Sequence, residues 1–326
     1  MTQQNTATSH QLGALLGLHV QTSLHAGAGT ALGTVDLPIQ RERHTGWPNI
    51  AGSALKGIFR DACRERAKSN YAHDRRRANE QDEQLTAAFG PATSNADAHA
   101  GAITITDARL LAFPVRSLTG VFAWVSCPQA LERLGRDARL AGYETPFKLP
   151  AQPSQGKLHA PNSSPCVFAD ADKKEMVILE EFDFQKEQTS PPDIAEWIAA
   201  TLLPAGDSFK STRDSLSKRL LILHDDDFTH FARHATEVTA RIGLDYETKT
   251  VKKGALFYQE FLPAESILYA VVLARPSRKD GHSATAKDML KVATQHLPEF
   301  LQIGGDETTG KGICAQRLSC AQGGVQ

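Results

Sequence analysis

Asp36 stands in the string Val35-Asp36-Leu37-Pro38, flanked by apolar residues in a stretch with neither helical nor strand period. A loop aspartate of this kind is ordinarily a turn former. Its chemical alternative is a carboxylate that accepts a proton or holds a divalent cation. His25 and His44 lie on either side of the same stretch. An imidazole there either orients a phosphate or satisfies a carbonyl.

Basic residues gather just downstream. Between Arg41 and Arg66 lie Arg41, Arg43, Lys56, Arg60, Arg64 and Arg66 against the acidic Glu42, Asp61 and Glu65, within a chain whose net charge is −1. The local excess points to an anionic partner, and a solvated helix flank explains it equally well. Near the C-terminus, Gly304-Gly305-Asp306-Glu307-Thr308-Thr309-Gly310-Lys311-Gly312 is rich in glycine. Bare N–H groups in such a turn can bind phosphate, and Lys311 adds a point charge; a tight hairpin needing positive φ is the plainer reading. A nucleotide-binding P-loop is disfavoured. Gly312 stands where Ser or Thr should bind magnesium, no helix follows, and Asp306 and Glu307 would repel a triphosphate.

The elements that must position these groups can be read from periodicity. Leu16, Leu18 and Val20 alternate as in a strand. Ser53 reads as the N-cap of a helix whose buried stripe is Leu55, Ile58, Phe59, Ala62 and Cys63, with Lys56, Arg60 and Arg64 on the neighbouring flank. Further strands are expected at residues 103–115, 121–125, 176–184, 220–223, 238–244, 256–262 and 267–274. Helices are expected at 128–140, 191–203, 225–234 and 284–300, and a last strand reaches Leu318. Residues 71–100 read as a helical or loop insertion. Residues 143–175, rich in Pro, Ser, Gly and Lys, read as an exposed one. The irregular alternation favours an α+β sandwich over a doubly wound parallel sheet.

At 326 residues and 41% apolar content the chain can bury a large core, and 22% charged residues exclude wholesale disorder. With 36 basic against 37 acidic residues it is no globally basic nucleic-acid coat, though a local basic groove is compatible with that balance. Five scattered cysteines without a C-x-x-C pair support neither a zinc knuckle nor a disulfide framework. No signal peptide or membrane-spanning run is evident, so a cytoplasmic location is expected.

Three strings carry a resemblance: Leu24 to Gly29 with Val35 to Gly46, Pro48 to Gly57, and Leu301 to Gly312. They are similar to the Cas7-group RAMP backbone subunits of type III-B CRISPR effector complexes. Asp107 to Trp124, Val177 to Phe182 and Leu256 to Pro263 fit as well, so the likeness runs in order over residues 12–318. It implies a single RAMP domain: a ferredoxin-like, RRM-type palm with a helical fingers insertion and a β-hairpin thumb, here expected within 143–175. It implies copies stacked head to tail on a guide RNA (crRNA), which is heterologous assembly. It also implies cutting of complementary target RNA beside each thumb, once per subunit. The further partners implied are Cmr-type subunits of the Cas10, Cmr3, Cmr5, Cmr6 and Cmr1 types, with no membrane involved.

The family's catalytic aspartate falls on Asp36, with His25, Tyr258 and Glu260 as weaker assisting candidates. RNA contacts fall on His25, Arg41, Arg43, Ser53, Lys56, Arg60, Arg116, Gly304, Gly305 and Lys311. Cutting of this kind needs in-line attack by a 2′-hydroxyl at a kinked nucleotide. An ordinary aspartate, with pKa of about 3.9, is a poor base at neutral pH, which favours a loosely held Mg²⁺ or Mn²⁺ at Asp36. The rival readings are an inert crRNA-binding scaffold, a Cas6-type crRNA-processing endoribonuclease using His25 or His44, and a phosphate-binding metabolic enzyme.

Overall fold

In the computed structural model, residues 11–321 are described, apart from 31–32, 93–94, 96 and 145–146. Four strands make the palm: Leu12–Val20, Ala108–Arg116, Ile267–Ala274 and Ile313–Cys320. Their order in the sheet is last, first, third, second, and each neighbouring pair is antiparallel. Helix Gly52–Ala67 links the first two and helix Ala286–Thr294 the last two. This is the βαββαβ plan of a ferredoxin-like palm.

The strand Ile267–Ala274 sits centrally and is almost wholly buried because both its faces are covered. Leu268, Ala270 and Val272 enter one core with Leu55 and Phe59, while Ile267, Tyr269 and Val271 enter the other with Leu131 and Ile198. Alternation along the pleat sends successive side chains to opposite sides. A run of apolar residues is therefore what this position requires. The helix expected to be capped by Ser53 begins two residues earlier, at Gly52, with Ala51 as N-cap and no side-chain cap. Its buried residues Leu55, Phe59 and Cys63 follow an i, i+4, i+8 spacing. The Cys63 thiol donates to the Val292 carbonyl on the second palm helix, which starts with a Thr285–Asp288 capping box.

The sheet continues to thirteen strands. Residues 71–100 hold two short helices, Arg75–Gln81 and Glu83–Phe89, capped by Asp74 and Asp82. A helix at Lys210–Arg219 has no counterpart in the sequence reading.

The expected thumb needs correction. Residues 143–175 are no free hairpin: Lys157–Ala160 pairs with Leu220–Leu223 and Phe182–Thr189 inside the large sheet, and Phe168–Ala169 forms its edge. The separate two-stranded sheet is Glu237–Leu244 paired with Val251–Phe261. Its turn is closed by Asp245, whose carboxylate accepts from the N–H groups of Glu247 and Thr248. Val238, Ile242, Leu256 and Tyr258 project from one face of this hairpin, each between 42% and 55% exposed. Among the described residues no helix is long and apolar enough to cross a membrane.

Candidate functional site

Asp36 is exposed, and the Tyr258 N–H donates to its Oδ2 at 2.7 Å. The contact is fixed by the next residue. Leu37 forms a parallel bridge with Gln259: its N–H donates to the Tyr258 carbonyl, and its own carbonyl accepts from the Glu260 N–H, both at 3.0 Å. On the other side Ile39 bridges Gly27. The Asp36 loop thus lies as a short third strand along the root of the hairpin, and among the described residues the other carboxylate oxygen has no partner.

Glu260 fastens this arrangement. Its carboxylate accepts from the Ile39 N–H at 3.0 Å, from Arg41 at 2.5 Å and from the Thr236 hydroxyl at 2.7 Å, and the residue is 6% exposed. Arg41 also donates to the carbonyls of Gly46 and Ala232. Both residues are committed inward. Glu260 therefore acts here as a clamp on the Asp36 loop, and Arg41 has little donor capacity left for RNA. Beside them, Arg133 donates to both oxygens of Glu42, with Thr45 as a further donor. Burial alone would raise the Glu42 carboxyl, but the hydrogen bonds from Arg133 and Thr45 and the guanidinium charge outweigh it and hold the pKa below the usual value.

His25 Nδ1 lies 2.7 Å from the Glu260 carbonyl oxygen, which makes Nδ1 the donor in this contact. The His25 carbonyl accepts from the Gly305 N–H at 3.0 Å. Gly304 has φ +79°, and a Cβ there would come within 2.2 Å of the same carbonyl. Gly312, at φ +77°, would strike the Ile303 carbonyl at 2.1 Å. The closing loop thus needs glycine for close approach to His25 as well as for backbone conformation. Lys311 Nζ stands 5.1 Å from the centroid of Phe261, at the hairpin root. The structure therefore joins Asp36, His25, Tyr258, Glu260, Arg41, Gly304, Gly305 and Lys311 around one hairpin base.

Lys56 and Arg60 lie on the first palm helix, half-buried, and among the described residues no carboxylate stands within ion-pair distance of either. Desolvation first, and then the neighbouring positive charge, lower both pKa values. Arg60 Nε donates to Asn79 at 3.0 Å. Ser53 is exposed but caps nothing. The N–H of Gly52 already has a carboxylate, Asp107, at 2.7 Å, which takes the place expected for an anion at this helix end. Arg43 is exposed. Arg116 is ion-paired with Glu180 at 2.9 Å, beside the turn that joins Glu175–Leu179 to Phe182–Thr189, and among the described residues its contacts do not join the hairpin cluster.

A divalent ion would find one free protein carboxylate here, since both Glu260 oxygens are engaged. Among the described residues no group of three or more His, Cys, Asp or Glu side chains is arranged to hold a metal. The described residues do not by themselves build a site for Mg²⁺ or Mn²⁺. Sequence reasoning also overlooked Arg241, Gln259 and Phe261, and saw in Asp306 only repulsion. The one signal available was an acidic residue inside a loop otherwise suited to an anion.

Residues 18–315 match the model of the RAMP superfamily. The Cmr endoribonuclease Cmr4 of Pyrococcus furiosus is 35% identical over 299 residues, 92% of this chain and 93% of that protein. The chain belongs to the RAMP superfamily, and within it to the Cmr4 family. The CMR subunit Cmr4 of Saccharolobus solfataricus is 27% identical over 91% of this chain and 93% of its own length. A crystal structure of oligomeric Cmr4 from Pyrococcus furiosus superposes with a TM-score of 0.66 at 28% identity, covering 94% of this chain and 97% of that one. The fold recurs at 21% identity, with a TM-score of 0.64, in the type III-B Cmr-beta complex bound to cognate target RNA, over 94% of this chain and 97% of that one.

Proposed function

We propose that this Cmr4-family RAMP protein is the backbone subunit of a type III-B CRISPR ribonucleoprotein complex. Copies of it line a crRNA, and each copy cuts complementary target RNA beside its hairpin, at Asp36. The observation that carries this reading is the exposed Asp36 carboxylate, held by the Tyr258 N–H at the root of a projecting hairpin whose apolar face lacks cover. The hairpin of residues 237–261, rather than 143–175, is the thumb in this reading.

The protein's part in cutting is positional. A phosphodiester strand crossing the hairpin root would meet a carboxylate fixed at one oxygen and free at the other. That free oxygen can orient a 2′-hydroxyl and take up its proton as the oxygen attacks the adjacent phosphorus in line with the departing 5′-oxygen. The departing 5′-oxygen takes a proton from water, so the products are a cyclic 2′,3′-phosphate end and a 5′-hydroxyl end. Sequence is read by guide–target pairing, so the protein needs only backbone contacts. Lys56, Arg60, Arg43 and Lys311 are the groups available to supply them. Mg²⁺ or Mn²⁺ enters this proposal only as an ion brought to Asp36 by RNA phosphates, and cutting that persists in EDTA removes it.

The decisive experiment is Asp36→Ala in a complex assembled on crRNA. Target cutting is expected to fall by about 100-fold or more, the usual scale for a general acid–base group. Crosslinking and filter binding should show guide and target held as before. Undiminished cutting at every site would overturn the assignment.

A further inference from the structure

Asp306 poses a problem that the proposed function leaves open. A loop suited to an RNA backbone carries a carboxylate at its apex, in the left-handed region at φ +64°. Both of its oxygens are spent on the hairpin rather than on the loop. Oδ1 pairs with Arg241 of the outgoing strand at 3.1 Å, and Oδ2 accepts from the Gln259 side-chain amide of the returning strand at 2.7 Å. Gln259 is 4% exposed, so its amide has no water to fall back on. Arg241 and Lys311 also both stand against the ring of Phe261, at 5.4 and 5.1 Å from its centroid. The Asp306 carbonyl, for its part, accepts from the N–H groups of Thr309 and Lys311, which closes the loop around it.

Gln259 is also the residue that bridges Leu37, and it follows Tyr258, whose N–H holds Asp36. From these contacts we infer that Asp306 is a positioning residue for cutting: it ties the closing glycine loop to the hairpin strand that sets Asp36, so that the two move as one body. The inference rests on the reading of Asp36 given above. It also explains why the carboxylate does not repel a polyanion, since the guanidinium of Arg241 answers its charge. The link runs through one strand: the loop carries Asp306, Asp306 holds the Gln259 side chain, and the neighbours of Gln259 in the strand, Tyr258 and Glu260, bond to Leu37, with Tyr258 also holding Asp36.

The test uses complexes assembled on crRNA with Asp306→Ala, Asp306→Asn, Arg241→Ala, the Asp306→Ala/Arg241→Ala pair, and Asp36→Ala as reference. The readouts are the single-turnover cutting rate, the Kd for target, guide retention and the melting temperature. Asp306→Ala is expected to slow cutting by about tenfold or more, as small misplacements of a reacting group do. Its target Kd and guide retention should stay near those of the parent, and its melting temperature, lowered by the unpaired Gln259 amide, should remain well above the assay temperature. Asp306→Asn, whose amide oxygen still accepts from Gln259, is expected to recover part of the rate. The double substitution should be no slower than the worse single one.

Cutting by Asp306→Ala at the parental rate would overturn the inference. So would a loss of rate that only tracks a loss of guide, of target affinity or of folding. An Asn variant as slow as the Ala variant would remove the hydrogen bond to Gln259 as the cause. If Asp36→Ala is inactive while Asp306→Ala is normal, this inference alone fails; if Asp36→Ala cuts normally, the reading beneath it fails.

Discussion

Lys56 and Arg60 hold two positive charges one helical turn apart, half out of water, with no carboxylate among the described residues to answer them. Such a pair is a poor choice for stability and a good one for a phosphodiester backbone. Replacing both with Ala is expected to weaken crRNA retention and to reduce the salt slope of binding by about two, read from retention measured across a salt series. Lys56→Met separates the two demands. The folded chain disfavours charge on Lys56, so the penalty is present at all pH values below its lowered pKa and fades as pH rises toward the unfolded value near 10.5. The variant is therefore expected to melt higher, by on the order of 1 °C at neutral pH, while holding guide less well. Differential scanning calorimetry at pH 7 and above pH 10 checks the sign, since the gain should shrink at the higher pH. Residue spacing put this pair on one helix flank, and the resemblance assigned it to RNA. Ser53 was misread because a cap is a backbone geometry, and Asp107, far off in sequence, supplies the acceptor that a local reading assigned to the serine.

At the scale of elements, the segment Arg41 to Trp47 is held by buried charge. Arg133 and Glu42 are each about nine-tenths hidden, and Arg133 also lies against Trp47. Glu42→Gln leaves the guanidinium without its counter-charge and is expected to cost about 3 kcal/mol at neutral pH. Because the folded-state carboxyl is lowered, this contribution is complete above the usual value of about 4.5 and is lost as pH falls through the lowered one. The stability gap between parent and variant in urea titrations should accordingly close in acid. The hairpin makes a different prediction. Ile242 and Leu256 are 52% and 55% exposed, so Ile242→Asp with Leu256→Asp should leave the melting temperature within about 1 °C, as exposed substitutions do. Target cutting is nevertheless expected to fall about tenfold, in an assay of the assembled complex, because the apolar face serves something outside the chain. Both hairpin strands are visible in the sequence as alternating apolar runs. Their role is not, because an apolar run reads the same whether it faces a core or a partner. The stretch 143–175 drew attention instead because proline, serine and glycine mimic an excursion even when two short strands within it join the sheet.

For the whole molecule, near-zero net charge with locally concentrated cations suits a chain that meets RNA along one track and its own copies elsewhere. Adding crRNA to the 35.4 kDa chain is expected to give masses that rise in whole multiples of the protein, resolved by native mass spectrometry. A single protein mass at every RNA ratio would contradict head-to-tail stacking. Alternation gave individual strands and the α+β class, and the ferredoxin-like palm came from the resemblance. Non-local bridges such as Leu37 to Gln259 have no local signature and could not be read from the chain. That bridge has a mechanical consequence. Under the function proposed above the blade is bolted to the wedge: were the hairpin to lean with a bent helix of paired strands, Asp36 would ride along as a passenger, and the bond to be broken would be chosen by wherever the wedge lodges.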